Sequence, residues 1–344
     1  MDCMARPTIA DIARTAGVSS TAVSFALNGR PGVAEPTREK IMAIARDMGW
    51  TPNSAARALS TSRVNAIGLI ITSPYAELAR DTFFLQLIAG VEHALSSSPV
   101  ALVLKIVENF EDELTAIRQW HGESRIDGLI LVNPRPDDPR PALTNTLGVP
   151  TVFIGKPGTN EPFSSVFIDD ALVMDTLIED LVAHGTRRIA YLHSHARYSH
   201  GEARLKALRR SRPGITAIEH GIPLGELDDT CAAIRDFASM LDLTAATTFV
   251  CESEDLTLAT LRALGDLDVA VPADASIVSW ESTPGLTLRT PAVSTLERSP
   301  AEMGSAAVEL LRDMRDNPGP EPRTRELACP RLHARDTLPP RVEG

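Results

Sequence analysis

Three groups of residues have types and spacing that suggest chemistry. The first is a row of small hydroxyls and one ring, Ser19, Ser20, Thr21, Ser24 and Phe25, directly after the Ala16-Gly17-Val18 break. A helix enters the major groove by its N-terminal residues, so hydroxyls and a ring at the start of a helix suit contacts to base edges and phosphates. The second is His193, His195 and His200. Imidazoles are metal ligands, but no cysteine stands beside them, and the loop they occupy suits the rim of a pocket better than a zinc site. The third is the carboxylates Asp255 and Glu281, the pair that a glycoside hydrolase would need as acid and base. No nucleophile elbow, phosphate-binding loop or metal-ligand motif accompanies them, which favours binding over turnover.

The elements that carry the first group read as three short helices within the first 50 residues. Thr8 opens one, with Asp11 at the capping-box position and Ile9, Ile12 and Ala13 on one face. Gly17 supplies the left-handed corner, Ser19 or Ser20 restarts the chain, and a second helix runs to Leu27 before Asn28-Gly29. A third covers Glu35–Met48 and closes at Gly49. Two helices joined by a short glycine turn are the helix-turn-helix pattern. Residues 51–63 form a separate polar segment in which Asn53 caps one two-turn helix, too short to be stable without a partner.

The remainder alternates strand-like runs (66–71, 100–107, 127–133, 150–155, 165–169, 187–193, 247–251 and 275–280) with helical patterns at 82–96, 110–121, 170–184, 200–211, 228–241 and 254–265. Near-continuous apolar strands between helices imply parallel sheets covered on both faces, and so many strands imply two sheets. Ligands in such folds bind beyond the carboxyl ends of the strands. The tail after Thr337 reads as loose. At 344 residues and 43% apolar composition the chain can bury a large core in more than one domain. No run approaches the 18 or so apolar residues of a membrane span, and the N-terminus carries Asp2 and Arg6 rather than a secretory apolar stretch. Four scattered cysteines without a CxxC suit a reducing cytoplasm. The net charge of −11 is unevenly divided: residues 1–63 hold eight Lys/Arg against five acids, net +3, leaving −14 for the body. A basic head on an acidic body points to nucleic acid at one end only.

These blocks, in order and spacing, resemble the LacI/GalR family of bacterial transcription regulators. The head segments TIADIARTAGVSSTAVSFALNG (8–29), TREKI (37–41) and TPNSAARALS (51–60) carry the strongest signal. NAIGLI (65–70), RIDGLIL (125–131), RRIAYLHSHARYSHGEARLKAL (187–208), VPADASIVSWESTP (271–284) and TPAVSTLERSPAEMG (290–304) extend it along the body. The resemblance implies an all-α helix-turn-helix head at 6–50, a hinge at 51–63 and a periplasmic-binding-protein-like core at 64–336, built from two doubly wound parallel-sheet subdomains. Their expected bounds are 64–161 with 293–324, and 162–290 with 325–336.

The implied partners are double-stranded operator DNA, a sugar or sugar-derived effector and a second copy of the chain, with no cofactor, metal or membrane. On the head, Ser20, Thr21 and Phe25 become base readers and Ser24, Asn28, Thr37 and Arg38 phosphate contacts, with Thr8 and Ser19 also in the DNA-binding set. Phe25 stands where the family has Arg, which replaces a guanine grip with apolar contact to a thymine methyl. A plain core role under the turn is the alternative for this ring. Ala34 stands where a capping Ser is usual. In the hinge, Leu59 matches the leucine that wedges between central base pairs from the minor groove, with Asn53, Ala56 and Arg57 around it.

In the core, Arg204, Asp255 and Glu281, with Trp280 as a stacking surface, become effector ligands from one subdomain. Ser73, Tyr75 and Phe84 come from the other. Glu281 replaces the family's Asp. A ligand-controlled repressor follows; the alternative, a solute-binding sensor of the same core fold, predicts a secretory leader and no basic head.

Overall fold

The computed structural model describes residues 7–50, 63–157, 162–194, 198–210, 212–222, 225–241, 243 and 247–342. The expected hinge helix, with Asn53, Ala56, Arg57 and Leu59, lies outside the described residues, as does His195. The chain divides into two compact units, Met1–Val64 and Asn65–Gly344.

The first unit contains α1 (Ile9–Ala16), α2 (Ser20–Leu27) and α3 (Glu35–Asp47). Thr8 and Asp11 form a reciprocal capping box, and Gly17 turns the chain at φ 71° while its N–H bonds the Ala13 carbonyl. Ser19 caps α2 by accepting from the Ala22 N–H. Ala34 begins α3 without a side-chain cap. Ile12, Ala13, Ala16, Val23, Ala26, Ile41 and Ala45 meet in a small core, ringed by Ile9, Val18, Leu27, Val33, Ile44, Met48 and Trp50. This is the stripe that the three-to-four spacing anticipates.

The second unit is built on two six-stranded sheets. The first contains β1 (Ala66–Thr72), β2 (Ala101–Val107), β3 (Gly128–Val132), β4 (Thr151–Ile154), β5 (Ser165–Phe167) and β11 (Thr324–Glu326), in the order β11-β5-β4-β3-β1-β2 and parallel throughout. The second contains β6 (Arg188–Ser194), β7 (Thr216–Ile222), β8 (Thr247–Cys251), β9 (Ala275–Ser279), β10 (Ser294–Leu296) and β12 (Leu332–His333), in the order β12-β10-β9-β8-β6-β7, with β12 alone antiparallel. The central strands β3, β4, β8 and β9 are buried along their whole length, the reason their sequences show no alternation.

The helices between them are α4 (Tyr75–Leu78), α5 (Thr82–Leu95), α6 (Phe110–Gly122), α7 (Arg140–Leu147), α8 (Asp170–Ala183), α9 (Ser199–Leu208), α10 (Leu227–Ser239), α11 (Glu254–Asp266), α12 (Pro284–Thr287) and α13 (Pro300–Asp316). α13 returns to the first sheet and crosses α5 at Gly90 and Gly304. A Cβ on Gly90 would lie 1.9 Å from the Ala301 carbonyl oxygen, and one on Gly304 would lie 2.3 Å from that of Leu87. Only the absence of side chains lets the two backbones come this close.

Strand pairing moves the expected subdomain bounds. β5 hydrogen-bonds β4 and β11 and so belongs to the first sheet, although the sequence reading assigned 165–167 to the second subdomain. β10 pairs with β9 in the second sheet rather than joining the first, and β11 reaches beyond residue 324 in the first. The chain therefore passes between the sheets at 168–169, 297–299 and 327–331. Strands of two or three residues carry too little pattern to reveal their sheet; long-range hydrogen bonds decide it.

The tail is a second correction. Thr337 is fully buried, its hydroxyl donating to the Ile277 carbonyl and accepting from the Ser294 N–H. His184 Nδ1 lies 2.6 Å from the Pro339 carbonyl oxygen, and the Val342 N–H donates to the Ala183 carbonyl. These bonds pin residues 337–342 to β9 and the end of α8.

Candidate DNA-binding head and effector cleft

On the head, Thr8, Ser19, Ser20, Thr21 and Asn28 are exposed, and Ser24, Phe25, Thr37 and Arg38 are half-buried. Thr8 and Ser19 are both engaged as caps, yet stay at the surface beside the free hydroxyls of the first turn of α2. Hydrogen bonds from Thr8 hold the exposed Asp11 carboxyl below its ordinary range, with the Arg14 charge adding to the effect. Asn28 Nδ2 donates to the Ser24 carbonyl at 2.8 Å. The Phe25 ring lies against Gly32, whose Cβ position is 3.5 Å from Phe25 Cδ2, so part of the ring supports the turn and part stays open.

Arg38 departs from the expected phosphate contact. Its guanidinium donates to the Ala26 carbonyl at 3.0 Å and the Arg30 carbonyl at 2.8 Å, and Glu35 lies 3.6 Å away. The last carbonyls of a helix lack intrahelical partners, and Arg38 satisfies one of α2, that of Ala26, together with the Arg30 carbonyl of the following turn. Lys40 does the same for α1 by donating to the Ala16 carbonyl at 2.9 Å.

In the core, the carboxyl ends of the strands of both sheets meet at a cleft. Arg80, before α5, reaches Asp255, at the start of α11, with Nε 2.9 Å from Oδ2. The Ser199 N–H donates to the Pro134 carbonyl at 2.8 Å, and Arg135 stacks over Phe110 and Tyr198. Both bridges join elements of opposite sheets. The first subdomain's floor is a buried network: Arg140 bonds Glu113 at 2.6 Å and Asp138 at 2.6 Å, and the Thr72 hydroxyl donates to Glu113.

The expected ligand residues separate into two sets. Glu281 faces a small open cavity with Thr82, Phe83, Gln86, Ser282, Thr283, Arg298 and Pro300. Arg204 is 2% exposed and does not reach that cavity's wall as a free group. It is 2.7 Å from Asp170 and 3.2 Å from Glu252, with its guanidinium 4.3 Å from the centroid of the Trp280 ring. Trp280 has no exposed surface, which corrects its expected role as an open stacking face: Arg204 covers it.

Phe84 is likewise core, 5% exposed, because one helical step of about 100° turns it inward while its neighbour Phe83 faces the cleft. Asp255 is held by Arg80. Ser73 bonds its own loop, its hydroxyl 3.3 Å from the Pro74 carbonyl oxygen, and Tyr75 is 56% exposed on α4, away from the cavity lining. Arg80, Phe83, Asp170, Glu252 and Arg298 were missed; of these only Asp170, at a helix start, had any local signal.

Charge within the cleft follows from these contacts. Burial raises the Asp170 carboxyl, but the Arg204 and Arg298 charges outweigh it and hold the group below its ordinary range. Burial lowers His200 to about 4, leaving it neutral at physiological pH. Among the described residues no group of three metal-ligating side chains is present.

Burial, with the Asp81 charge second, raises Glu281 to about 7; the Glu254 N–H it accepts from and Arg298 oppose the rise, and Glu252 adds to it. A carboxyl raised on folding keeps more protons in the native state, so stability is fully present below about pH 4.5 and declines as pH rises to about 7. Glu281→Gln is expected to remove this decline, gaining about 1–3 kcal/mol at pH 8 and nothing near pH 4, as read from urea midpoints at the two pH values.

Residues 8–53 match the profile of the bacterial regulatory proteins of the lacI family, and residues 178–338 that of a periplasmic binding protein-like domain. The chain is 28% identical over 338 residues to the HTH-type transcriptional repressor PurR of Proteus mirabilis, covering 96% of each. It is 29% identical over 321 residues to the HTH-type transcriptional regulator CelR of Thermobifida fusca, covering 91% of this chain and 93% of CelR. A solved CelR–cellobiose complex aligns over 96% of this chain and all of that one, at TM-score 0.68 and 25% identity. The lac repressor dimer bound to operator and an anti-inducer shares the fold over 97% of this chain and 99% of that one, at TM-score 0.80 and 23% identity.

Head, core and cleft together define a ligand-responsive, DNA-binding transcriptional regulator. The chain is similar to LacI-family regulators along nearly its whole length, and its head matches that family's profile.

Proposed function

We propose that the protein is a cytoplasmic repressor that binds a pseudo-palindromic operator as a homodimer and is controlled by a sugar or sugar derivative held in the cleft. The observation that carries this reading is the combination in one chain of a capped three-helix head, with Ser20 and Thr21 exposed on the first turn of α2, and a two-sheet core with a cavity lined by Glu281, Gln86 and Arg298. Ser20, Thr21 and the open part of Phe25 read bases. Ser24, Asn28 and Thr37 position the backbone, and Leu59, with Asn53, Ala56 and Arg57, opens the minor groove at the centre of the site. No helix among the described residues is long and apolar enough to cross a membrane. The head disfavours a solute-binding sensor without DNA regulation, and the relatives above are regulators rather than enzymes.

Footprinting of the full chain on the DNA upstream of its own gene tests the reading. A protected palindrome at low salt is expected, and Leu59→Ala is expected to weaken binding to it by about tenfold or more, in line with the few kcal/mol at stake in a kinked step. Absence of any protected palindrome, with or without sugars, would overturn the proposal; an unchanged Leu59→Ala titration would remove the wedge alone.

A further inference from the structure

The cleft holds two guanidinium groups in contrasting states. Arg204 has its counter-charges, Asp170 and Glu252. Arg298 lies on the 297–299 passage between the sheets, lines the cavity beside Glu281, and approaches the Phe83 ring at 5.8 Å. Among the described residues its side chain makes no hydrogen bond and no ion pair within 4.0 Å. Burial lowers its pKa, the direction expected of a cation removed from water without full compensation.

The carboxylates near it are committed elsewhere: Asp170 and Glu252 to Arg204, and one Glu281 oxygen to the Glu254 N–H at 3.0 Å. Beside the same cluster, the fully buried Tyr191 hydroxyl and Trp280 Nε1 have no partner. An indole N–H only donates, and a guanidinium offers five donors in a planar fork that matches a carboxylate. Tyr191 and Trp280 lie behind the wall, so the charged donor capacity open to the cavity is that of Arg298, whose charge Asp170 and Glu281 offset only in part.

We propose that the effector is an acidic monosaccharide, a uronate or aldonate, whose carboxylate is gripped by Arg298 while Glu281 and Gln86 take ring or chain hydroxyls. The inference rests on reading the cleft as the effector site. The lining offers hydroxyl and amide partners in Thr82, Gln86, Ser282 and Thr283 beside Arg298 and Glu281, the mixed set that a polyhydroxylated acid needs. A guanidinium–carboxylate pair also discriminates by charge, since a neutral twin of the ligand leaves the cation unpaired.

Isothermal titration of the full chain with matched pairs, D-galacturonate against D-galactose and D-gluconate against D-glucose, tests this. At least one acid is expected to bind about tenfold or more tightly than its neutral twin. Arg298→Gln is expected to bring that ratio to about one without weakening the neutral sugar, and Arg298→Lys to restore part of it. A neutral twin that binds equally well, or a preference that survives Arg298→Gln, would overturn the anionic effector and leave the sugar-responsive reading standing. Binding of none of the four at millimolar concentration would overturn both.

Discussion

Arg204→Ala is expected to lower the stability of the core by about 3–5 kcal/mol, because it strands the buried Asp170 and the half-buried Glu252 and uncovers the Trp280 ring at once. A surface ion pair would cost little, but Arg204 is 2% exposed and Asp170 is nearly as buried. The check is the midpoint of urea unfolding followed by circular dichroism. A midpoint within error of the parent would mean that water already reaches the pair. Because the Asp170 carboxyl is held below its ordinary range, the contribution is present above about pH 4 and is lost as pH falls through the folded value. The parent and Arg204→Ala should therefore converge in acid. Loss of effector response in this variant would report the collapse of the cleft wall, which is why Arg298 and Glu281 are the better probes of binding.

Gly90→Ala is the second large effect. The new methyl would fall 1.9 Å from the Ala301 carbonyl oxygen, a backbone atom that cannot rotate away, so α13 must shift off α5. Overpacking of this kind costs about 1–3 kcal/mol or more. Gly265→Ala on α11 is the matched control: nothing lies within 4 Å of its Cβ position, and it is expected to stabilise by roughly 0.5–1 kcal/mol through reduced chain entropy. Thermal unfolding of the two variants should move in opposite directions; a shift of the same sign in both would contradict the close crossing.

The parts legible in the sequence were those with local causes. Thr8 with Asp11, Gly17 and Ser19 mark their caps within three or four residues, and the buried strands β1 and β3 announce themselves as nearly unbroken apolar runs. α13 carried a start signal too, Ser299 before Pro300, and was overlooked for lack of a flanking strand long enough to recognise. β10, β11 and β12 exist because distant segments complete the sheets, which no short pattern encodes.

The cleft was legible as a region and illegible as a set of partnerships. Asp255 and Glu281 follow the carboxyl ends of β8 and β9, and Arg204 lies on α9. Which of them is free depends on Arg80 reaching Asp255 across 175 residues, and on Asp170 and Glu252 closing on Arg204 across 34 and 48. Phe83 and Phe84 differ by one helical step, and only the packed helix decides which of them sees the cavity.

Arg38 and Lys40 spend their charged ends on helix carbonyls, and Arg14 is held by Asp11. Each phosphate that a protein neutralises frees close to one condensed counterion from the duplex, and that release is what rising salt penalises. Three of the eight cations in the first 63 residues are thus withdrawn from the exchange, and the affinity of this head for DNA will fade more gently with ionic strength than its raw count of basic residues suggests.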